Sequence, residues 1–139
     1  MVTVVADTNV LISALIGHGE PRRLIINLLE DHEVITSREM LTELIEVLTR
    51  AKFPGINSSH INKFLSILAS KAEVVRVQEH IKVIAEDPDD DIVLSTAREG
   101  NANYVISGDK HLLNLKEFKG IRIVTVKEML ELLDSRSQR

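Results

Sequence analysis

The chain has no cysteine and no tryptophan, and its aromatic side chains, Phe53, Phe64, Tyr104 and Phe118, make up 3% of 139 residues. Without cysteine there can be neither disulfides nor thiolate metal sites, which is compatible with a reducing compartment. So few aromatic rings leave no platform for stacking bases in the manner of single-strand binding proteins. Positive charge is not in excess either: 17 basic against 21 acidic residues give a formal net charge of −4. That balance argues against a broad basic surface for nucleic acid, so any such partner must be engaged locally. The apolar start MVTVVADTNVLISALI lacks a basic leader and is interrupted by Asp7. It reads as a folded strand and helix, with no signal peptide and no membrane span. No internal repeat or low-complexity stretch is visible. Residues 1–134 are expected to form one domain, and SRSQR at 135–139 a disordered tail.

The remainder is ordinary for a globular protein, 44% hydrophobic and 27% charged. A short β-branched run, Val2–Ala6, reads as a buried strand that ends at Asp7. Helices follow over Asn9 to about Ile16, ended by Gly17-His18-Gly19, and over Glu20 to Asp31, with Pro21 in the first turn. Glu33–Thr36 is a second strand. Thr36-Ser37-Arg38-Glu39 has capping-box spacing and opens a helix to about Ala51. After Pro54-Gly55, Ser58-Ser59 opens a helix carrying Ile61, Phe64, Leu65 and Leu68, residues suited to the core or to a dimer interface. Glu73–Val77, Tyr104–Ser107 and Ile121–Val124 read as strands, with helices over Asp89–Glu99 and Val126–Leu133. Strands alternating with helices imply an α/β fold, a mostly parallel sheet of about five strands covered on both faces. Sites in such sheets lie beyond the carboxyl ends of the strands, where both Asp7 and Asp109 should emerge.

The stretch EDPDDDIVLSTA, residues 86–97, places four aspartates within five positions just ahead of an apolar segment. Capping and the helix dipole account for one or two of them, at about 0.3–1 kcal/mol each, with Asp89 as the expected cap. Asp90 is different. Its helical neighbours at i+3, i+4 and i+7 are Val93, Leu94 and Ala97, so its carboxylate leans toward the buried stripe. A carboxylate there must be paired or coordinate a metal. Glu43 also borders an apolar stripe, between Met40 and Val47, whereas Glu46 has Arg50 at i+4 as a surface partner. Each acid alone has a plainer reading: Asp7 as a helix cap, Asp109 as a turn residue in SGDK, Glu43 as a solvated glutamate.

Together, Asp7, Glu43, Asp90 and Asp109 can converge on one pocket, where they would repel unless a cation sat between them. With oxygen ligands and no convincing histidine pair, the expected cation is Mg²⁺ or Mn²⁺. Removing these four acids from 21 leaves 17, which equals the number of basic residues. The histidines, His18, His32, His60, His80 and His111, fall at helix ends or in loops and read as surface residues.

Asp7-Thr8-Asn9 after the first strand, Ser37 through Glu43 to Leu48, DPDDDIVLSTA and VISGDKHLL together resemble the PIN domain, over about Val2 to Val126. The likeness is closest to the prokaryotic branch of toxin components of the VapC type. It implies a three-layer α/β/α fold and a metal-dependent endoribonuclease, cytoplasmic, with Asp7, Glu43, Asp90 and Asp109 as catalytic and metal-binding acids. It further implies support from Thr8, Asn9 and Ser107, with Asp91 tuning or extending the site; the choice between Asp90 and Asp91 as direct ligand stays open. Hydrolysis of an RNA phosphodiester would leave a 5′-phosphate and a 3′-hydroxyl. Arg22, Arg23, Arg38 and Lys110 are candidates for guiding RNA. Implied partners are RNA, a small antitoxin protein and a second copy in a homodimer or higher homo-oligomer. The alternatives within the fold are a processing or maturation nuclease and a silent PIN-like binding protein. A haloacid-dehalogenase-type phosphoryl transferase would need a second Asp where Asn9 stands, and a receiver domain an acceptor Asp where Glu73–Val77 is followed by Gln78.

Overall fold

The computed structural model describes residues 1–50, 53–82 and 88–137. In chain order the elements are β1 (Thr3–Ala6), α1 (Thr8–Ile16), α2 (Glu20–Asp31), β2 (Glu33–Ser37), α3 (Arg38–Arg50), α4 (Ser58–Lys71) and β3 (Glu73–Val75). They continue with α5 (Pro88–Glu99), β4 (Tyr104–Ile106), α6 (Lys110–Leu115), β5 (Glu117–Phe118), β6 (Ile121–Val124) and α7 (Val126–Ser137). The strands form one sheet in the order β3-β2-β1-β4-β6-β5, parallel throughout except for β5 against β6.

Both faces of the sheet are covered, as side-chain alternation along each strand requires. Val4, Ala6, Val34, Ile106 and Val124 point into a core with Leu11, Leu24, Leu28, Leu44, Leu68 and Met129, from α1, α2, α3, α4 and α7. The intervening Val5, Ile35, Val105 and Ile123 point the other way, onto Val93, Leu94 and Ala97 of α5 and Leu112 of α6. This is the expected three-layer α/β/α sandwich. Each such valine, leucine, isoleucine or methionine, when fully buried, contributes about 1.5–3 kcal/mol. Ile61, Phe64 and Leu65 pack partly buried against the first core and Leu68 is wholly inside it, so α4 uses these residues for the core.

Topology places the site. From β1 the chain builds outward to β2 and β3 on one side, then crosses to β4 on the other. The switch point therefore falls between β1 and β4, whose carboxyl ends carry Asp7 and Asp109.

Several boundaries differ from expectation for identifiable reasons. β3 stops at Val75 because it pairs with β2 alone, and Val75 lies opposite Ser37, the last residue of β2. The cap of α3 is Ser37, whose Oγ accepts from the Met40 N–H at 3.3 Å, while Thr36 remains in the strand opposite Val74. Pro88 needs no N–H partner in a first turn, so α5 begins there and Asp89 lies within the helix instead of capping it. Asn57 caps α4: its side chain accepts from the His60 N–H at 3.0 Å and the His60 ring accepts from the Asn57 N–H at 3.2 Å. α7 runs through Ser137, so residues 135–137 are helical where a disordered tail was expected. A sixth strand, β5, is two residues long and too short to show any period. The expected helix end at Ala51 and the break at Asp87 lie outside the described residues.

Gly100, which follows α5, shows how closely that helix sits on the sheet: an added Cβ would meet Ile35 Cγ2 at 2.5 Å, Cγ1 at 3.1 Å and Cβ at 3.3 Å. Ile35 is 1% exposed and close-packed, so it has no free space to turn into and the seating of α5 on β2 must give way. Gly100→Ala should lower stability by about 1–3 kcal/mol in urea unfolding, and by more than Gly19→Ala, which meets open space and loses only the preference for glycine at the cap of α2. Equal midpoints for the two variants would refute this packing.

Candidate active site

Asp7 follows β1 and caps α1. The Val10 N–H donates to its Oδ1 at 2.9 Å, and the Ser107 hydroxyl, at the end of β4, donates to its Oδ2. Its own N–H donates to the Ile106 carbonyl at 3.0 Å, locking β1 and β4 together at the rim. Cap and site residue are thus one side chain. Asp7 is 5% exposed. Burial strips water from its carboxyl and raises the pKa above the ordinary 3.8. The Ser107 and Val10 hydrogen bonds pull the other way, the nearby charge of Asp109 raises it further, and the Gly108 N–H lowers it.

The other acids come from three different elements. Glu43, one turn into α3, is half-buried and accepts from the buried Thr8 hydroxyl at 3.2 Å. α3 is tied to α5 by a directed chain of hydroxyls. The Met40 N–H donates to Ser37 Oγ, which meets Thr96 Oγ1 at 2.8 Å, and Thr96 in turn donates to the Ile92 carbonyl at 2.8 Å. Because Thr96 gives its proton to Ile92, it must accept from Ser37. Asp90, in the first turn of α5, is 7% exposed, which fits the face deduced from Val93, Leu94 and Ala97. Asp109 caps α6, its Oδ1 accepting from the His111 N–H at 2.8 Å and the Leu112 N–H at 3.4 Å, while the Asp109 N–H donates to Ser107 Oγ at 2.9 Å.

Asp7, Thr8, Asn9, Glu43, Asp89, Asp90, Val93 and Asp109 line one cavity of about 80 Å³. The four expected acids therefore meet, with Thr8 and Asn9 on the wall and Ser107 behind Asp7. Asp91, one position round the helix, is absent from that lining, and Asp89 takes part in it. The cations expected to guide RNA are not gathered here. Arg22 fastens α1 to α2, donating to the Ala14 carbonyl at 3.0 Å and the Leu15 carbonyl at 2.7 Å and contacting His18 at 2.8 Å. Arg23 faces Glu20 at 3.8 Å, and Arg38 is exposed; Lys110, also exposed, directly follows Asp109. His111 is the residue that sequence reading missed. Its Nδ1 stands 3.9 Å from Asp90 Oδ2 and 3.8 Å from Asp109 Oδ1. The signal was its place in the first turn of a helix capped by a site aspartate.

Five carboxylates around so small a cavity, the four expected acids and Asp89, with Asp7 raised in pKa by burial, fit a divalent cation held by oxygen. The donor set is hard and acidic, and no cysteine competes.

A mostly parallel sheet with carboxylates from separate elements gathered at its switch point defines a class of acidic α/β site suited to a divalent cation. Within that class a family model for the PIN domain matches residues 3–111, and the chain belongs to the PIN domain family, a family of nucleases. It is 33% identical over 122 residues to an uncharacterized protein of Methanocaldococcus jannaschii, covering 84% of this chain and 76% of that protein. The fold is similar to that of VapBC2 from Rickettsia felis, solved bound to a DNA fragment from their promoter, with a TM-score of 0.64 and 14% identity over 88% of this chain and 98% of that one. It is equally similar to PAE2754 from Pyrobaculum aerophilum, with a TM-score of 0.64 and 17% identity over 96% and 90% of the two chains.

The raised pKa of Asp7 has a definite sign. The folded chain holds that proton more tightly than the unfolded chain. The stability it lends is fully present below pH 3.8 and is lost as pH rises through the folded value. In chelator, Asp7→Asn should therefore gain stability relative to wild type as pH rises from acid to neutral, read as a higher Tm at neutral pH. A variant less stable than wild type at neutral pH would contradict the burial penalty.

Proposed function

We propose that the chain is a metal-dependent endoribonuclease, acting as the toxin component of a toxin–antitoxin pair. The observation that carries this is the convergence of Asp7, Glu43, Asp90 and Asp109, from four separate places in the sequence, on one small cavity at the switch point. Asp7, Asp90 and Asp109 hold Mg²⁺ or Mn²⁺, and Glu43 ligates directly or through water. A bound cation supplies charge neutralisation at the scissile phosphate and a lower pKa for the attacking water. Ser107 and the Val10 N–H keep Asp7 aimed at the rim, and Thr8 keeps Glu43 turned toward it. Asp91 stands beside this set and tunes its charge.

A larger cleft of about 370 Å³ shares Asn9 with the acidic cavity and continues past Ser107, Gly108, Thr125 and Lys127. Its size supports a polynucleotide substrate extending beyond the phosphate that is cut. The partner reading, a small antitoxin protein, draws on the VapBC2 likeness. A homodimer or higher homo-oligomer and a cytoplasmic location belong to the same reading; among the described residues no helix is long and apolar enough to cross a membrane. Retention of all four acids favours an active enzyme over a silent binding protein.

Purified protein incubated with a structured RNA pool should cut it in Mn²⁺ or Mg²⁺, not in EDTA, and leave 5′-phosphate ends. Asp7→Asn combined with Asp90→Asn should reduce cutting by at least about a hundredfold, more than the loss typical of a residue that only orients a ligand. Cutting that persists in EDTA or in the double variant would overturn the proposal.

A further inference from the structure

The carboxylates account for the acidic cavity but leave His111 unexplained. Of the five histidines, His32 accepts from the Val2 N–H at 3.0 Å, His18 meets Arg22, His60 closes the cap of α4, and His80 is exposed. His111 does something else. Its Nδ1 lies almost equally far from a carboxylate oxygen of α5 and one that caps α6, at 3.9 and 3.8 Å. Both distances are too long for hydrogen bonds, whereas a surface imidazole drawn to one carboxylate would close on it to about 3 Å. One donor atom each from Asp90, Asp109 and His111 all lie within 4.8 Å of one another, near enough for a single ion to touch all three. The backbone from which the ring projects is held in place, because the His111 main-chain N–H donates to Asp109 Oδ1 at 2.8 Å. That bond occupies one oxygen of Asp109, and a carboxylate offers two oxygens with about four lone-pair positions.

We propose that His111 is a nitrogen ligand for the divalent cation of this site, Nδ1 joining Asp90 and Asp109, and that it biases the site toward Mn²⁺ over Mg²⁺. The inference rests on the metal-dependent reading of the same cavity. Mg²⁺ takes oxygen ligands and keeps much of its water; Mn²⁺ shares the preference for carboxylates but, as a transition ion, accepts a nitrogen ligand more readily. An oxygen-only cavity would discriminate weakly between the two; one imidazole shifts the balance toward Mn²⁺. The exposed half of the ring lets His111 reach the ion without repacking the core.

The test is Mn²⁺ binding followed by electron paramagnetic resonance, with no RNA present. Wild type carrying Mn²⁺ should show ¹⁴N coupling in pulsed spectra, and His111→Ala should lose it. In titrations, His111→Ala should weaken Mn²⁺ about tenfold or more, and Mg²⁺, measured by competition, by less than about threefold. Mn²⁺ bound to wild type without ¹⁴N coupling, or equal weakening of both ions, would overturn the histidine ligand and leave the carboxylate site standing. Wild type that binds no Mn²⁺ at all would overturn both. The wild-type spectrum decides the matter even if the variant folds poorly.

Discussion

A buried carboxylate at the junction of two central strands is the constraint around which this molecule is arranged. Asp7 occupies the one place where β1, α1 and β4 meet, and burial penalises its charge. The fold offsets that penalty with a hydroxyl from Ser107 and an N–H from Val10, then adds to it by bringing Asp109 near. Such an arrangement is unfavourable by itself and would become favourable with a cation among the carboxylates. Natural chains retain local conflicts of this kind at functional positions, where the rest of the structure can support them.

The support is polar and crosses between elements. Thr8 reaches from α1 to Glu43 on α3, and the run from Met40 through Ser37 and Thr96 to the Ile92 carbonyl joins α3 to α5. Ser37 and Thr96 are fully buried, so leaving either hydroxyl unpaired would cost about 1–3 kcal/mol. These bonds fix the distance between the helices that carry Glu43 and Asp90, which hydrophobic packing alone would leave free to slide. The close approach of Gly100 to Ile35 seats the far end of α5 on the sheet in the same way.

Much of this was legible in the residues. Alternating strands and helices implied the layered sheet, and the i+3, i+4 and i+7 neighbours of Asp90 singled it out as facing inward, where it is found. What could not be read depended on partners distant in the chain or on very short elements. Ser37, in place of Thr36, caps α3 because β2 continues one residue further to pair with β3. Arg22 appeared free to meet RNA, yet carbonyls at the end of α1 claim it. β5 has two residues and no period. His111 sits in a first turn like any solvated histidine, and only the folded approach of α5 to α6 brings it to Asp90.

The hydrogen bond between Ser107 and Asp7 spans 100 positions of the chain. On a ribosome adding about 5–20 residues per second, Ser107 is made some 5–20 s after Asp7. Until then β1 has no β4 to lie against, and the pairing that aligns the rim is among the most non-local contacts of the sheet. A nascent chain is therefore without its acidic centre until the ribosome has passed Ser107 and Asp109, however early Asp7 is made.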